Sequence, residues 1–348
     1  MKKILVTGGA GFIGSAFVRY LLRTHDDVQV VNYDKLTYCG NLENLRDVEK
    51  DPRYSFVKGD IGNLDEALAA LGQDTDAVVN FAAESHNDRG VLDPGIFLRT
   101  NVVGTQAMLE ACRRAGVGRF HHISTCEVFG DLALDEERAF SENDAFRPRT
   151  PYNASKASTD HVVMAYHHTF GLPVTISHCC NNYGPYQFPE KLIPLFSTNA
   201  MEDKSLPLFK SSQNRREWIH CDDHSAAVDL ILEKGRVGEA YNIGTGIEKS
   251  VEEITDVILD TLGKPATLKS YVPDRQGHDR RYLLSTEKIR AELSWAPKIG
   301  FDEGIKQTVE WYRDNPDWWQ RVKSGAYQDY YHQYYFETLK DETAKVAV

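Results

Sequence analysis

Six cysteines in 348 residues form neither a C-x-x-C pair nor a dense framework, and nowhere do 18 apolar residues follow one another. The first absence argues against a disulfide scaffold. Cys39, Cys112, Cys126, Cys179, Cys180 and Cys221 therefore read as reduced thiols, with adjacent Cys179 and Cys180 a buried strand pair and no metal expected. The second absence leaves no membrane-spanning helix. Lys2 and Lys3 imitate the start of a secretory signal, but the apolar run Ile4 to Val6 stops at glycines, so a cytoplasmic protein without membrane contact is expected. Positive charge is scarce too: 40 Lys and Arg stand against 51 Asp and Glu, a net charge of -11. Nucleic-acid affinity rests largely on Lys and Arg contacts to phosphates, so no nucleic-acid partner is expected, although local basic pockets remain allowed. There is no internal repeat and no low-complexity linker.

With 41% hydrophobic and 26% charged residues, the chain can bury a sizeable core as one large or two modest domains. Lys3 to Val6 predicts a strand that runs into Gly8-Gly9-Ala10-Gly11-Phe12-Ile13-Gly14, after which Ser15 to Arg23 has helical spacing. Glycines between a strand and a helix permit a tight turn and let a pyrophosphate reach N–H groups at the helix N-terminus, where the dipole favours an anion. The next strand, Val28 to Asn32, leads to Asp34, 20 residues beyond Gly14. A carboxylate there takes the adenosine ribose hydroxyls and repels a 2′-phosphate, which favours NAD over NADP. Further strands are predicted at Tyr54 to Val57, Asp76 to Phe81, Arg119 to Ser124 and Pro173 to Ser177, with a helix over Thr100 to Ala115. Gly59-Asp60-Ile61 is placed to bracket the adenine, and the small residues of Ala82-Ala83-Glu84-Ser85-His86 let the backbone lie against a dinucleotide. Alternating strands and helices point to an α/β fold, a doubly wound parallel sheet (Rossmann-like) that binds ligands at the C-terminal ends of its strands.

One such end delivers Ser124-Thr125-Cys126-Glu127. Tyr152 and Lys156 follow, four residues apart on a predicted helix and hence on one face. A cation beside a phenol favours its phenolate, so Tyr152 is expected to serve as a base near neutral pH although a free phenol has a pKa of about 10. Beyond Cys180-Asn181-Asn182 the alternation loosens. Pro189-Glu190-Lys191, Leu206 to Phe209, Arg215 to Trp218 and Asp274 to Arg281 read as loops that gather Arg, Lys, His and aromatics. Arg forks pair with phosphate oxygens and a ring such as Phe209 stacks on a base, which suits a nucleoside diphosphate. The expected organisation is a catalytic, NAD-binding domain over 1–180 and a smaller C-terminal α/β substrate lobe over 181–348, with some chain returning to the first. The aromatic tail, Trp311 to Tyr335, reads as helix packing.

The runs Asn181-Asn182-Tyr183-Gly184-Pro185-Tyr186-Gln187-Phe188-Pro189-Glu190-Lys191 and Gly277-His278-Asp279-Arg280-Arg281-Tyr282 are the most specific stretches. With Asp34-Lys35-Leu36-Thr37-Tyr38 and Tyr152-x-x-x-Lys156, they make the chain resemble the extended short-chain dehydrogenase/reductases, and within them the dTDP-glucose 4,6-dehydratases, over nearly its whole length. The resemblance implies a catalytic set of Thr125, Cys126, Glu127, Tyr152 and Lys156. It implies NAD contacts from Gly8, Gly11, Phe12, Ile13, Gly14, Asp34, Lys35, Thr37, Asp60, Ile61, Ala82, Ala83, Ser85, Thr100, Tyr152, Lys156 and Asn182. It implies sugar-nucleotide contacts from Ser85, His86, Asn87, Thr125, Asn181, Glu190, Lys191, Leu192, Pro207, Phe209, Arg216, Ser250, Arg275 and His278. In the implied reaction C4 of an NDP-sugar is oxidised, Tyr152 taking the O4 proton with help from Lys156 and Thr125. Glu127 then takes the C5 proton, water leaves from C6, and hydride returns to C6, giving a 4-keto-6-deoxy sugar with NAD tightly retained. A homodimer is also implied, packed through helices near 101–115 and 152–170 of each subunit.

The sequence departs from the family where Cys126 stands. Relatives usually carry Asp there as the acid for the C6 hydroxyl, and a thiol is far weaker, with reference pKa values of about 8.5 against about 3.9. Four readings follow: a slower 4,6-dehydratase, a different product as in nucleotide-sugar 5,6-dehydratases with a thiol at this position, an engineered substitution, or a small filler with Glu127 doing both jobs. Asn87, Gly90, Phe209, Lys210-Ser211-Ser212 and Ser250 also differ from the family pattern and leave base and sugar open. UDP-glucuronate decarboxylases keep a Glu at the Glu127 position, and a catalytically dead NAD-binding protein is the non-enzyme alternative. The retained Thr125, Glu127, Tyr152 and Lys156 favour a dehydratase.

Overall fold

The computed structural model describes residues 1–86, 93–210, 212–273 and 279–324. Its first half alternates β1 (Lys3–Thr7), α1 (Phe12–Thr24), β2 (Gln29–Asp34), β3 (Tyr54–Lys58), α2 (Leu64–Leu71), β4 (Ala77–Asn80), α3 (Thr105–Ala115), β5 (Arg119–Thr125), α4 (Pro151–Phe170) and β6 (Val174–Cys179). There follow β7 (Asn181–Tyr183), α5 (Leu192–Met201), β8 (Leu206–Phe209), β9 (Arg215–His220), α6 (Cys221–Lys234), β10 (Glu239–Ile243), β11 (Glu248–Ser250), α7 (Val251–Leu262), β12 (Lys269–Val272), α8 (Glu287–Leu293), α9 (Phe301–Asp314) and α10 (Pro316–Lys323).

Seven strands pair in parallel in the order β10-β6-β5-β4-β1-β2-β3. Successive side chains of a strand face opposite ways, and a parallel sheet is covered on both faces. Ile4 and Val6 accordingly pack with Phe17, Val18 and Leu21 of α1 and Val228 and Ile231 of α6. Leu5 between them packs with Leu71 of α2 and Met108, Leu109 and Cys112 of α3. Each such side chain contributes about 1.5–3 kcal/mol on full burial. Strand order reverses between β1 and β4, the switch point at which a doubly wound sheet opens a crevice. The chain re-enters this layer late, through α6 against α1 and β10 beside β6.

Two segments expected as loops are strands. Leu206–Phe209 pairs in parallel with β12, and Arg215–His220 lies between β7 and β11. Alternate burial of Leu206 and Leu208 is the strand period, hidden in the sequence by Pro207. The helix expected over Thr100 to Ala115 is also divided: Leu98–Gly104 forms a π-helical turn, and α3 begins at Thr105. A separate core forms beyond the sheet, in which Ile193 and Phe196 of α5 meet Ile254 and Ile258 of α7 and Ile305 of α9.

The aromatic tail packs as far as it is described. Trp318 and Trp319 are buried with Tyr312, and Trp318 Nε1 donates to Asn44 Oδ1 at 3.1 Å. No helix among the described residues is long and apolar enough to cross a membrane.

Candidate active site

A single cavity of ≈ 1130 Å³ is lined by the C-terminal ends of β1, β2, β4, β5 and β6 and by β7, β8 and β9. All the NAD contacts implied by the sequence lie on its wall. The floor is a turn that only glycine can make: Gly8 has φ of +66°, and a Cβ there would sit 2.8 Å from Ala82 Cα across the switch point. A Cβ on Gly14 would sit 2.2 Å from Gly8 O. Helix α1 starts after Gly11 with no side-chain cap, leaving its first N–H groups for an anion. Asp34 accepts from Ala10 N at 3.0 Å and Leu36 N at 2.7 Å. Burial raises its carboxyl above the ordinary value while those two N–H groups oppose the shift. An uncapped helix N-terminus, a turn without side chains and a carboxylate at the end of β2 together fit the dinucleotide NAD.

The active helix α4 is set by its ends. Thr150 caps Asn153 N at 3.2 Å, Pro151 occupies the first turn, and Gly171 stops it with φ of +71°. Tyr152 is packed 5.7 Å from the Phe97 ring and shares a side-chain hydrogen bond with Thr125. Its phenol is pushed well above the ordinary value, chiefly by burial and then by Glu127, Cys179 and Cys126, with the Thr125 hydrogen bond opposing. The Lys156 side chain turns into β5, 2.6 Å from Ile123 O and 3.1 Å from His122 Nε2. Burial lowers it to about 8 against the pull of Asp160 and Cys179. Burial and the neighbouring carboxylate oppose the phenolate that the Tyr152–Lys156 spacing favours. The phenol is buried beside a carboxylate, and the lysine nitrogen is spent on the strand.

Thr125 ends β5, and its hydroxyl accepts from Glu127 N at 3.3 Å, capping the 3-10 turn Cys126–Phe129. At three residues per turn, consecutive side chains diverge by about 120°. Glu127 consequently lines the cavity, whereas Cys126 is 1% exposed and packs in the core with Val128 and Phe129. Burial, then Glu127, raise the Cys126 thiol far above its ordinary value. The Cys126 thiol is thus buried and is not among the residues lining the cavity. Tyr282, for which the sequence implies no role, lines the cavity. Its hydroxyl donates to Asp279, and its pKa is raised by burial first and by Glu127 second.

Of the expected sugar-nucleotide contacts, Ser85, His86, Thr125, Asn181, Glu190, Lys191, Leu192, Pro207, Phe209 and Arg216 line the same cavity. Glu190 accepts from Tyr38 Oη at 3.0 Å and lies 3.4 Å from His86 Nε2. Lys191 Nζ is 3.3 Å from Ser85 O. Arg216 is braced by three backbone carbonyls, those of Arg215 at 2.8 Å, Arg280 at 3.1 Å and Asp279 at 2.5 Å. Its guanidinium also lies 4.7 Å over the Tyr282 ring. Ser250 is not among the lining residues: it caps α7 by accepting from Glu253 N at 3.1 Å while its own N–H donates to Glu253 Oε2 at 2.7 Å. That reciprocal pair is a capping box, the role its Ser-x-x-Glu spacing encodes. Asn87, Gly90, Ser211, Arg275 and His278 lie outside the described residues.

A doubly wound sheet with a glycine turn at its switch point and a Tyr-x-x-x-Lys helix facing it defines a short-chain dehydrogenase/reductase of the extended kind. The chain belongs to the GDP-mannose 4,6 dehydratase family, whose model matches residues 5–308. It is 46% identical to the dTDP-glucose 4,6-dehydratase of Escherichia coli, covering 96% of this chain and 99% of that one. Among solved structures it resembles DesIV, a dTDP-glucose 4,6-dehydratase from Streptomyces venezuelae crystallised with NAD. The TM-score is 0.89 at 48% identity, over 92% of this chain and 100% of that one. The Bacillus anthracis dTDP-glucose 4,6-dehydratase in complex with NAD gives a TM-score of 0.86 at 44% identity, over 93% and 100% of the two chains.

Proposed function

We propose that the protein is an NAD-dependent nucleotide-sugar dehydratase that converts dTDP-glucose to the 4-keto-6-deoxy sugar. The observation that carries this reading is that Thr125, Glu127 and Tyr152 face the same cavity as the dinucleotide cradle. Held over the Gly8–Gly14 turn and by Asp34, NAD would supply reversible hydride transfer for the sugar C4 and C6. Tyr152 and Thr125, already hydrogen-bonded to each other, hold the sugar O4, and Tyr152 receives its proton. A ketone at C4 acidifies C5, and Glu127 on the same wall takes that proton. Glu127 passes that proton to the C6 hydroxyl as water leaves, and C5 regains one proton, equal to the one Tyr152 took from O4, as hydride reaches C6, so the whole sequence balances. Lys191, Phe209 and Arg216 form the wall for the nucleoside diphosphate.

The core position of Cys126 favours this reading over a 5,6-dehydratase that uses the thiol. We infer a cytoplasmic homodimer without a nucleic-acid partner. Helices α3 and α4 supply its interface, flanked by two exposed apolar side chains, Val103 at 57% and Phe170 at 53%. Mass spectrometry of dTDP-glucose incubated with the purified protein tests the activity. Loss of one water molecule supports it, and unchanged substrate in the presence of NAD contradicts it.

A further inference from the structure

Helix α10, near the end of the chain, reaches back to the turn under the dinucleotide. Its Trp318 donates from Nε1 to Oδ1 of Asn44 at 3.1 Å, and Asn44 donates from Nδ2 to the Ala10 carbonyl at 3.0 Å. All three residues are buried, and none of them lines the cavity. Asn44 belongs to the 3-10 turn Leu42–Leu45, whose capping residue Asn41 donates its backbone N–H to the same Ala10 carbonyl at 2.9 Å. Arg19 of α1 donates to the Asn44 carbonyl, and Arg321 of α10 pairs with Glu43 of the turn at 2.6 Å.

The relay runs in one sense only. An indole N–H donates and cannot accept, so it selects the oxygen of the Asn44 amide and leaves the amide NH2 group for Ala10. Reversed, the amide would set its oxygen against the Ala10 oxygen and its NH2 group against the indole N–H, two repulsive contacts in place of two hydrogen bonds. Ala10 is held on its other side as well. Its N–H donates to Asp34 Oδ2 at 3.0 Å, and the next N–H, that of Gly11, donates to Gly8 O at 3.1 Å. Ala10 therefore stands within the Gly8–Gly14 turn with both backbone polar groups committed, and Gly11, Phe12 and Ile13, which follow it, line the cavity. A carbonyl tied to α10 in this way cannot swing towards a bound diphosphate, which it would repel.

We propose that Trp318 and Asn44 are positioning residues for the cofactor: α10 clasps the glycine turn through the Asn44 amide, and the clasp sets how slowly NAD is released. The inference rests on the NAD cradle of the active site, and its readout is cofactor release, not turnover. The whole chain is loaded with carbon-14 NAD, chased with excess unlabelled NAD and filtered at intervals. Trp318→Phe keeps most of the apolar ring but loses the N–H, and should release label about three- to tenfold faster than wild type, the worth of one internal hydrogen bond expressed in the dissociation rate. Asn44→Ala should release it at least as fast as Trp318→Phe. The double variant should match Asn44→Ala, because Trp318 acts only through Asn44; two effects that multiply overturn the proposal. Trp319→Phe is the control. It removes an indole N–H on the same helix that donates to Tyr312 O at 2.8 Å, away from Asn44, and should release NAD at the wild-type rate. Accelerated release from Trp319→Phe, or wild-type release from Trp318→Phe, overturns the clasp while leaving the cradle standing. A wild-type protein that binds no labelled NAD overturns the cradle and the clasp with it.

Discussion

Glu127 faces the cavity while its neighbour Cys126 is buried in the core, 1% exposed. The two side chains therefore separate in their effects. Glu127→Gln should lower kcat by about 10²–10⁴-fold, the usual worth of an acid–base group. Cys126→Ala should stay within about threefold of wild type, since its thiol does not line the cavity, while losing about 1 kcal/mol of stability from a small core void. Steady-state rates and urea midpoints on both variants check this.

Tyr152→Phe removes the hydroxyl that shares a hydrogen bond with Thr125 but keeps the ring beside Phe97. The expected loss in kcat is again about 10²–10⁴-fold. NAD content measured after denaturation should change little, because the glycine turn and Asp34, which hold most of the dinucleotide, lie on other elements. A rate near wild type would remove Tyr152 from the mechanism.

Gly14→Ala should lose the cofactor. Its Cβ would meet the Gly8 carbonyl oxygen at 2.2 Å, so the turn under the diphosphate must shift. The purified variant is expected to release far less NAD than wild type and to melt lower; equal NAD content would contradict the cradle.

Glu217 links the lobes at depth. Its carboxylate accepts from Thr245 N and Gly246 N, each at 2.7 Å, and from Leu284 N at 3.0 Å. Burial is the largest influence and raises its pKa from 4.5 to about 7, the three N–H groups opposing. A raised carboxyl binds more protons folded than unfolded, so its stabilising share is complete below about pH 4.5 and is lost as pH rises through about 7. Glu217→Gln does not titrate. The stability advantage of wild type over the variant should therefore shrink between pH 5 and 8 in urea titrations, and a constant difference would contradict the shift.

Much of this site was legible because local rules govern it. A strand, a glycine turn and a helix place Gly8, Gly14 and Asp34, and the helix period places Tyr152 and Lys156 together on α4. What the sequence hid depends on geometry or on distant chain. Cys126 and Glu127 diverge because they sit in a 3-10 turn. Lys156 is claimed by His122 and Ile123, more than thirty residues earlier on another element. Tyr282 reaches Glu127 through a segment folded back across β9. The cap at Ser250 is local, since Ser-x-x-Glu before an apolar run is a helix start.

The central claim is tested most directly by proton NMR of the purified protein with dTDP-glucose and no added NAD. The account predicts a new C6 methyl doublet at the expense of the C5 and C6 substrate signals. Vinyl protons would show elimination without hydride return to C6, and an unchanged spectrum would show no reaction with this sugar nucleotide. Either result contradicts the account.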